Sequence, residues 1–248
     1  MSTYVYGFAP ATHPMPIDGL TGVGAERAPV RLIREDGLVA VVSDAPEGLR
    51  AKRRDLEAHE RVLESLCAAG TVMPMRFGMV ASDDATVQAE LTSKAEKYAD
   101  LLAKLNDHVE LNVKGVHDED ALLGDLLQRH AELRERNDAL RAVGGGDEQD
   151  RIAFGEQVSA AVEERRVQEA KRLVAQLESH ATRVRLGPSV EGCFVNASFL
   201  VANSDREAFD AAVTALRDAA NGYADVRVFG PLPPYSFVEV DGADEADG

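Results

Sequence analysis

The middle of this sequence constrains its fold most, because residues 118–183 contain no strand pattern. They are rich in Leu, Glu, Arg, Ala and Gln, which favour helices. The run RAVGGGDEQD at 141–150 interrupts them, and its three consecutive glycines predict a flexible joint. We therefore predict two helices, about 118–142 and 150–182, that form a helical hairpin or arm. The dense charge on them is typical of a solvated helix face.

The residues before this arm mix strands with helices. Runs rich in Val, Tyr and Phe predict strands at 3–8, 30–34 and 37–44. One helix is predicted from about 52 to 69, and its apolar face would carry Leu56, His59, Leu63, Leu66 and Cys67. A second helix follows the predicted N-cap Ser82 and runs to Leu105, and HVELNVKGV at 108–116 alternates as a half-exposed strand does. Two helices against one sheet predict an N-terminal ferredoxin-like α+β sandwich over 1–117.

The last third returns to a mixed pattern. Strands are predicted at 183–187, 192–202 and 224–230, with a helix between the last two. We therefore predict a C-terminal α+β portion, 184–238, that packs with the long helical hairpin of 118–183. The acidic end, 239–248, is predicted to be a disordered tail. The predicted fold class is α+β with two domains.

Charge limits the possible partners. The 43 acidic and 27 basic side chains give a formal net charge of −16, which repels nucleic acid and anionic lipid and favours solubility. The N-terminal MSTYVYGFAP lacks the basic and apolar regions of a signal peptide, and no apolar run is long enough to cross a bilayer. These features predict a cytoplasmic protein that binds neither nucleic acid nor membrane. Cys67 and Cys193, far apart in the sequence, are expected to be free thiols.

A search for catalytic motifs gives only weak signals. HERVL, beginning at His59, has Leu63 where a zinc protease helix would need a second histidine. His59 is therefore interpreted as a core or interface histidine. GLTGVGAER at 19–27 is rich in glycine but lacks the Lys-Ser/Thr ending of a phosphate-binding loop. The sequence accordingly predicts no enzyme, no cofactor and no metal site.

Two segments each allow two interpretations. MPMRFG at 73–78 could place its methionines in the core, with Arg76 paired to an acid, or could present an apolar face to a partner. GPLPPYSFV at 230–238 is stiffened by its prolines. It could fasten the end of the chain to the body of the protein, or it could border a binding surface.

These segments, in order with the rest of the chain, resemble the gas vesicle synthesis proteins of the F and L types (GvpF/GvpL). The resemblance is carried by runs from one end of the chain to the other: YVYGF, GLVAVVSD, RVLESL after His59, TVMPMRFGMV, HVELNVKGV, AFGEQVSAAVEERR, VNASFLV and GPLPPYSFV. The combination of P-x-R-F-G with a terminal G-P-x-P-P-Y-S-F is the most specific part. The family often carries tryptophan where this chain has Leu232, and the glycine joint at 144–146 is also a departure.

The resemblance implies an accessory or minor structural protein for gas vesicle assembly. It would bind the small hydrophobic shell protein, and other gas vesicle accessory proteins are further candidate partners. Strand addition at an exposed sheet edge would be the simplest mode of binding. The residues predicted to bind the partner are Met75, Arg76, Phe77, Pro233, Pro234, Tyr235 and Phe237. The alternative is a small-molecule-binding regulatory or enzymatic domain on a ferredoxin-like fold.

Overall fold

A computed structural model describes residues 1–220 and 222–238, so the acidic tail predicted at 239–248 lies outside the described residues. The chain divides into two compact units. The first unit is Met1–Glu110 together with the described residues from Gly230 onward, and the second is Leu111–Phe229. Each unit contains one sheet, which confirms the predicted α+β class. The residues from Gly230 group with the first unit, whereas the sequence led us to place all of 184–238 with the C-terminal portion.

The first sheet is built around β1 (Thr3–Pro10). Its other strands are β2 (Arg31–Glu35), β3 (Leu38–Asp44), β4 (Met73–Pro74) and β5 (Val80–Ala81). The order is β2-β3-β1-β4, with β5 also paired to β1, and the pairs are antiparallel. A Cβ at Gly7 would lie 2.8 Å from the carbonyl oxygen of Met73, so glycine is required where β1 passes β4.

Helices cover both faces of this sheet. They are α1 (Arg53–Ala69), α2 (Asp84–Ser93) and α3 (Ala95–Leu105). One buried cluster joins Tyr4 and Tyr6 of β1 to the apolar face of α1, and the other joins Val5 and Phe8 to α2 and α3. The unit thus has three layers rather than the two of a simple sandwich. The single helix predicted from 83 to 105 is interrupted at Lys94, and Asp83, not Ser82, caps it by accepting a hydrogen bond from the Thr86 amide at 2.8 Å.

The second sheet has the ferredoxin-like topology that we predicted for the first. Its strands are β6 (His108–His117, of which residues from Leu111 belong to this unit), β7 (Arg183–Leu186), β8 (Cys193–Ala202) and β9 (Ala224–Leu232, of which residues up to Phe229 belong to this unit), in the order β7-β8-β6-β9. Helices connect β6 to β7, and α7 (Arg206–Ala219) connects β8 to β9. The first sheet has the same strand order, but residues 11–30 connect β1 to β2 without a helix. Pro14, Pro16 and the glycines of this stretch prevent one.

The predicted helical hairpin consists of three helices, because the first predicted helix ends and restarts at His130. They are α4 (Glu119–Arg129), α5 (Ala131–Ala142) and α6 (Glu148–Glu178). Gly144, Gly145 and Gly146 turn the chain with φ of 71°, 106° and 68°, which glycine adopts without strain. Leu173 and Leu177 are the buried side chains of α6, whereas Val167 on the same helix is 42% exposed.

Candidate functional site

The MPMRFG segment at 73–78 and the C-terminal segment, residues 230–238, meet at His59, a buried residue of α1. Its Nε2 lies 3.1 Å from the carbonyl oxygen of Met75, and because a carbonyl only accepts, this nitrogen carries the ring proton. The hydroxyl oxygen of Tyr235 lies 3.3 Å from the same nitrogen. Nδ1 then accepts from the hydroxyl of Tyr4 at 2.9 Å. His59 therefore ties the 73–78 segment and the C-terminal segment to β1.

Aromatic rings enclose the imidazole of His59. The ring of Tyr6 stacks on it with centroids 5.6 Å apart, and the rings of Tyr4 and Phe77 meet it edge-on at 5.7 and 5.8 Å. Burial lowers the pKa of His59 to about 4, although the hydrogen bond to Met75 partly opposes this shift. Burial likewise raises the pKa of the Tyr4 and Tyr235 hydroxyls. All three groups are therefore neutral near pH 7, and the hydrogen bonds that join them involve no charged partner.

A second contact fixes the C-terminal segment. Glu110, buried in the first unit, accepts a hydrogen bond from the Ser236 amide at 2.9 Å and another from the Ser236 hydroxyl at 2.7 Å. The sequence pattern had put Glu110 on the exposed face of its strand. Only the docking of a segment more than a hundred positions away in the sequence explains its burial.

Replacing Glu110 by glutamine is expected to lower the free energy of unfolding by about 1–3 kcal/mol, because two hydrogen bonds to a carboxylate become weaker neutral ones. Urea unfolding of both proteins measures the difference. Glu156→Gln, an exposed position on α6, is the matched control and should change the stability by less than about 0.5 kcal/mol. Equal stabilities of the two variants would show that Glu110 does not hold the segment.

The seven residues predicted to bind a partner have different environments. The side chains of Met75 and Phe237 are 2% and 1% exposed, and Pro234 is buried too. Phe77, Pro233 and Tyr235 are half-buried, and Arg76 is exposed. No ion pair of Arg76 occurs in the part of the chain that the structure describes. Met75 and Phe237 thus belong to the core of the first unit, whereas Arg76, Phe77, Pro233 and Tyr235 reach a surface.

An apolar groove of about 340 Å³ lies on the first unit beside the C-terminal segment. One wall is the segment itself, Pro231–Pro234, and the other comes from α1 and the residues that follow it. The lining side chains are mostly apolar: Cys67, Ala68, Val72, Leu105, Val109, Pro231, Leu232, Pro233 and Pro234, with Gly70, Thr71, Glu64 and His108 completing the set. Burial raises the pKa of the Cys67 thiol to about 12, so it is an uncharged part of the lining. The sequence indicated Pro233 and Pro234 but not the α1 wall, which can be identified only once the segment is docked.

The second unit carries a polar cluster around His117. The Nε2 of His117 lies 2.6 Å from Glu169, which also pairs with Arg165 at 2.7 Å. Arg165 in turn donates to the Tyr223 hydroxyl at 3.0 Å. A cleft of about 220 Å³ adjoins this cluster; α6 lines it with polar side chains and Leu173, and α7, β8, β9 and the residues between α7 and β9 supply most of its apolar lining. Glu169 and Arg165 bond to each other and to their neighbours, so they connect α6 to His117 of β6 and to Tyr223, which follows α7.

Among the described residues, no three His, Cys, Asp or Glu side chains come together in a way that could hold a metal ion. None of the helices in residues 1–220 and 222–238 has the length and apolar character needed to span a bilayer.

The fold and the groove define an α+β protein of two compact units, with residues 230–238 fastened to the first. The family model described as gas vesicle synthesis protein GvpL/GvpF matches residues 2–239, and the chain belongs to this family. It is 46% identical to gas vesicle protein F of a Streptomyces species, over 96% of this chain and 100% of that protein. The resemblance inferred from the sequence is confirmed.

Solved structures agree with this assignment. The crystal structure of GvpF from an Anabaena species has a TM-score of 0.81 at 26% identity and covers 96% of this chain and 98% of its own. The crystal structure of GvpF from Microcystis aeruginosa has a TM-score of 0.75 at 28% identity, covering 96% and 99%. This chain is therefore a gas vesicle-related protein with the fold of GvpF.

Proposed function

We propose that this protein is an accessory or minor structural protein of gas vesicle assembly that binds the small hydrophobic shell protein. It acts in the cytoplasm and at the gas vesicle, without a cofactor and without an enzymatic reaction, and other gas vesicle accessory proteins are further partners. The observation that carries the proposal is the apolar groove beside the C-terminal segment. This groove gives an apolar surface to a protein whose formal net charge is −16.

The physical reason lies in the shell subunit. A protein that forms an air-filled wall must expose apolar surface before it assembles, and such surface aggregates in water. An acidic carrier that covers this surface keeps the complex soluble. Leu232, Pro233 and Pro234 line the groove and are the proposed contacts. Tyr235 and Phe237 hold their backbone in place, while Arg76 and Phe77 extend the surface near His59.

Co-expression with the shell protein tests the proposal. Affinity capture of this chain, or its co-sedimentation with vesicles, should recover the shell protein. Replacement of the groove residue Leu232, which is 38% exposed, by serine should weaken the association by about tenfold because an apolar contact is lost. Leu186→Ser is the matched control, since Leu186 is 75% exposed on β7 of the second unit and does not line the groove. Failure of the unmodified chain to capture any shell protein contradicts the proposal.

A further inference from the structure

The walls of the groove determine how a partner can bind in it. Three of the four residues Pro231–Pro234 are prolines, which have no backbone N–H. A strand added to a sheet edge needs regularly spaced N–H donors on the edge that it joins. Within this wall only Leu232 has one. Strand addition, the simplest mode from the sequence alone, is therefore disfavoured along the C-terminal segment.

The edge of the first sheet that β4 forms gives the same result. Strand β4 is two residues long, and one of them is Pro74. It pairs with β1 at Gly7 and Phe8, and it offers too few donors to align another chain. A partner in the groove must therefore be recognised by its side chains. An element that satisfies its own backbone hydrogen bonds, which is to say a helix, fits this requirement.

Charge gives the second constraint. Glu64 of α1 lines the groove, and Glu60 lies one helical turn earlier on the same side of the helix. Glu60 is close enough to the Tyr235 hydroxyl to contribute to its raised pKa, after the larger effects of burial and Cys67. Both glutamates are exposed to solvent. The α1 rim of the groove is thus acidic, and Lys or Arg side chains beside an apolar stripe would complement it.

We propose that the groove is occupied by one face of an amphipathic α-helix, with leucine-like side chains at i, i+3, i+4 and i+7 flanked by lysine or arginine. The volume of about 340 Å³ accommodates a few side chains rather than a whole helix, which is about 10–12 Å wide. The helix therefore lies across the groove and inserts only its apolar face. The choice of this groove rests on the proposed function, but the helical form and the basic flank do not follow from it.

Three synthetic peptides of equal length, added to the full chain, test the helix. The first has leucines at the helical spacing and lysines elsewhere; the second has the same composition in strict alternation; the third replaces lysine by glutamate in the helical pattern. Fluorescence anisotropy measures affinity, and circular dichroism of the mixture measures the conformation of the bound peptide. We expect the first peptide to bind about tenfold more tightly than the other two, which is ~1.4 kcal/mol, and to gain helix on binding.

Charge variants of the protein test the acidic rim. The double variant Glu60→Gln with Glu64→Gln should lower the affinity for the first peptide about three- to fivefold, as expected for exposed ion pairs. Glu156→Gln with Glu207→Gln removes the same charge from the second unit and should leave the affinity unchanged. If both double variants weaken binding equally, the attraction is only that of a cation for an acidic protein, and the rim has no specific role.

Two results overturn the inference without affecting the proposed function. The first result is that the alternating peptide binds as tightly as the helical lysine peptide. The second is that the glutamate peptide binds as tightly as the helical lysine peptide. Shell-protein capture by the same Leu232→Ser variant is measured in parallel. If the shell protein is captured and Leu232→Ser weakens this capture, but the helical peptide binds no better than the others, the inference that the partner is a helix is wrong and the proposed function stands. If the helical peptide binds and the shell protein is never captured, only the proposed function is wrong.

Discussion

Truncation of Phe237 to alanine is expected to lower the free energy of unfolding by about 3–5 kcal/mol. The ring is 1% exposed, so its removal takes away apolar burial and leaves a cavity in the first unit. The C-terminal segment depends on this ring as well as on the bonds of Tyr235 and Ser236. The variant should therefore also loosen the wall of the groove, and shell-protein capture should fall together with stability.

Tyrosine fluorescence during urea unfolding measures this effect. The chain has no tryptophan, and four of its five tyrosines, Tyr4, Tyr6, Tyr98 and Tyr235, belong to the first unit. Phe229→Ala is the matched control, because that phenylalanine is 44% exposed and its loss should cost about 1 kcal/mol. Phe237→Leu, which keeps an apolar side chain of similar volume, should recover most of the stability. Equal effects of Phe237→Ala and Phe229→Ala would show that the segment is not anchored by its buried ring.

Acidification from about pH 6.5 to pH 4 is expected to cost the first unit about 3 kcal/mol through His59 alone. Burial lowers the pKa of His59 to about 4 in the folded protein, whereas an unfolded histidine has a pKa of about 6.5. Between these values the unfolded chain binds the extra proton, so the free energy of unfolding falls as the pH falls. The contribution is fully present above about pH 6.5 and is lost as the pH approaches 4.

The His59→Gln variant isolates this contribution. Glutamine removes the titration and keeps an amide that can both donate and accept, so unfolding free energies measured between pH 7 and pH 4 should have a shallower pH dependence. Burial also lowers the pKa of His13, and the variant therefore retains part of the slope. His180→Gln, at a half-exposed position after α6, should leave the slope as it is in the unmodified chain. An unchanged slope in His59→Gln would mean that His59 is not buried in its neutral form.

Local patterns in the sequence predicted much of the secondary structure. The apolar face of α1 contains His59, Leu63 and Leu66 as expected. Leu56, predicted on the same face, is 37% exposed, and Asp55 is 3% exposed instead. The reason is a distant contact: Asp55 accepts a hydrogen bond at 2.9 Å from the amide of Gly24. Helical periodicity contains no information about such a loop.

The TVMPMRFGMV segment shows the same limit. The alternation in this segment is typical of one strand with Met73, Met75, Phe77 and Met79 on one face. The structure forms only β4 and β5 there, and Met79 is 42% exposed. The amide of Gly78 donates to the Tyr4 hydroxyl at 3.2 Å, which draws the chain out of the sheet. Of the predicted site, Pro233 and Pro234 line the groove, while the opposing α1 wall was not predicted.

The order of the residues was sufficient to predict most helix and strand positions, because those depend on neighbours a few positions apart, and it also gave the acidic character and the family resemblance. The docking of the C-terminal segment was decided by tertiary structure. Tyr235 and His59 are 176 positions apart, and their meeting depends on which surface of the folded first unit offers a pocket for Phe237 and a buried carboxylate for Ser236. Such complementarity exists only after the sheet and α1 have packed, and therefore no local pattern encodes it.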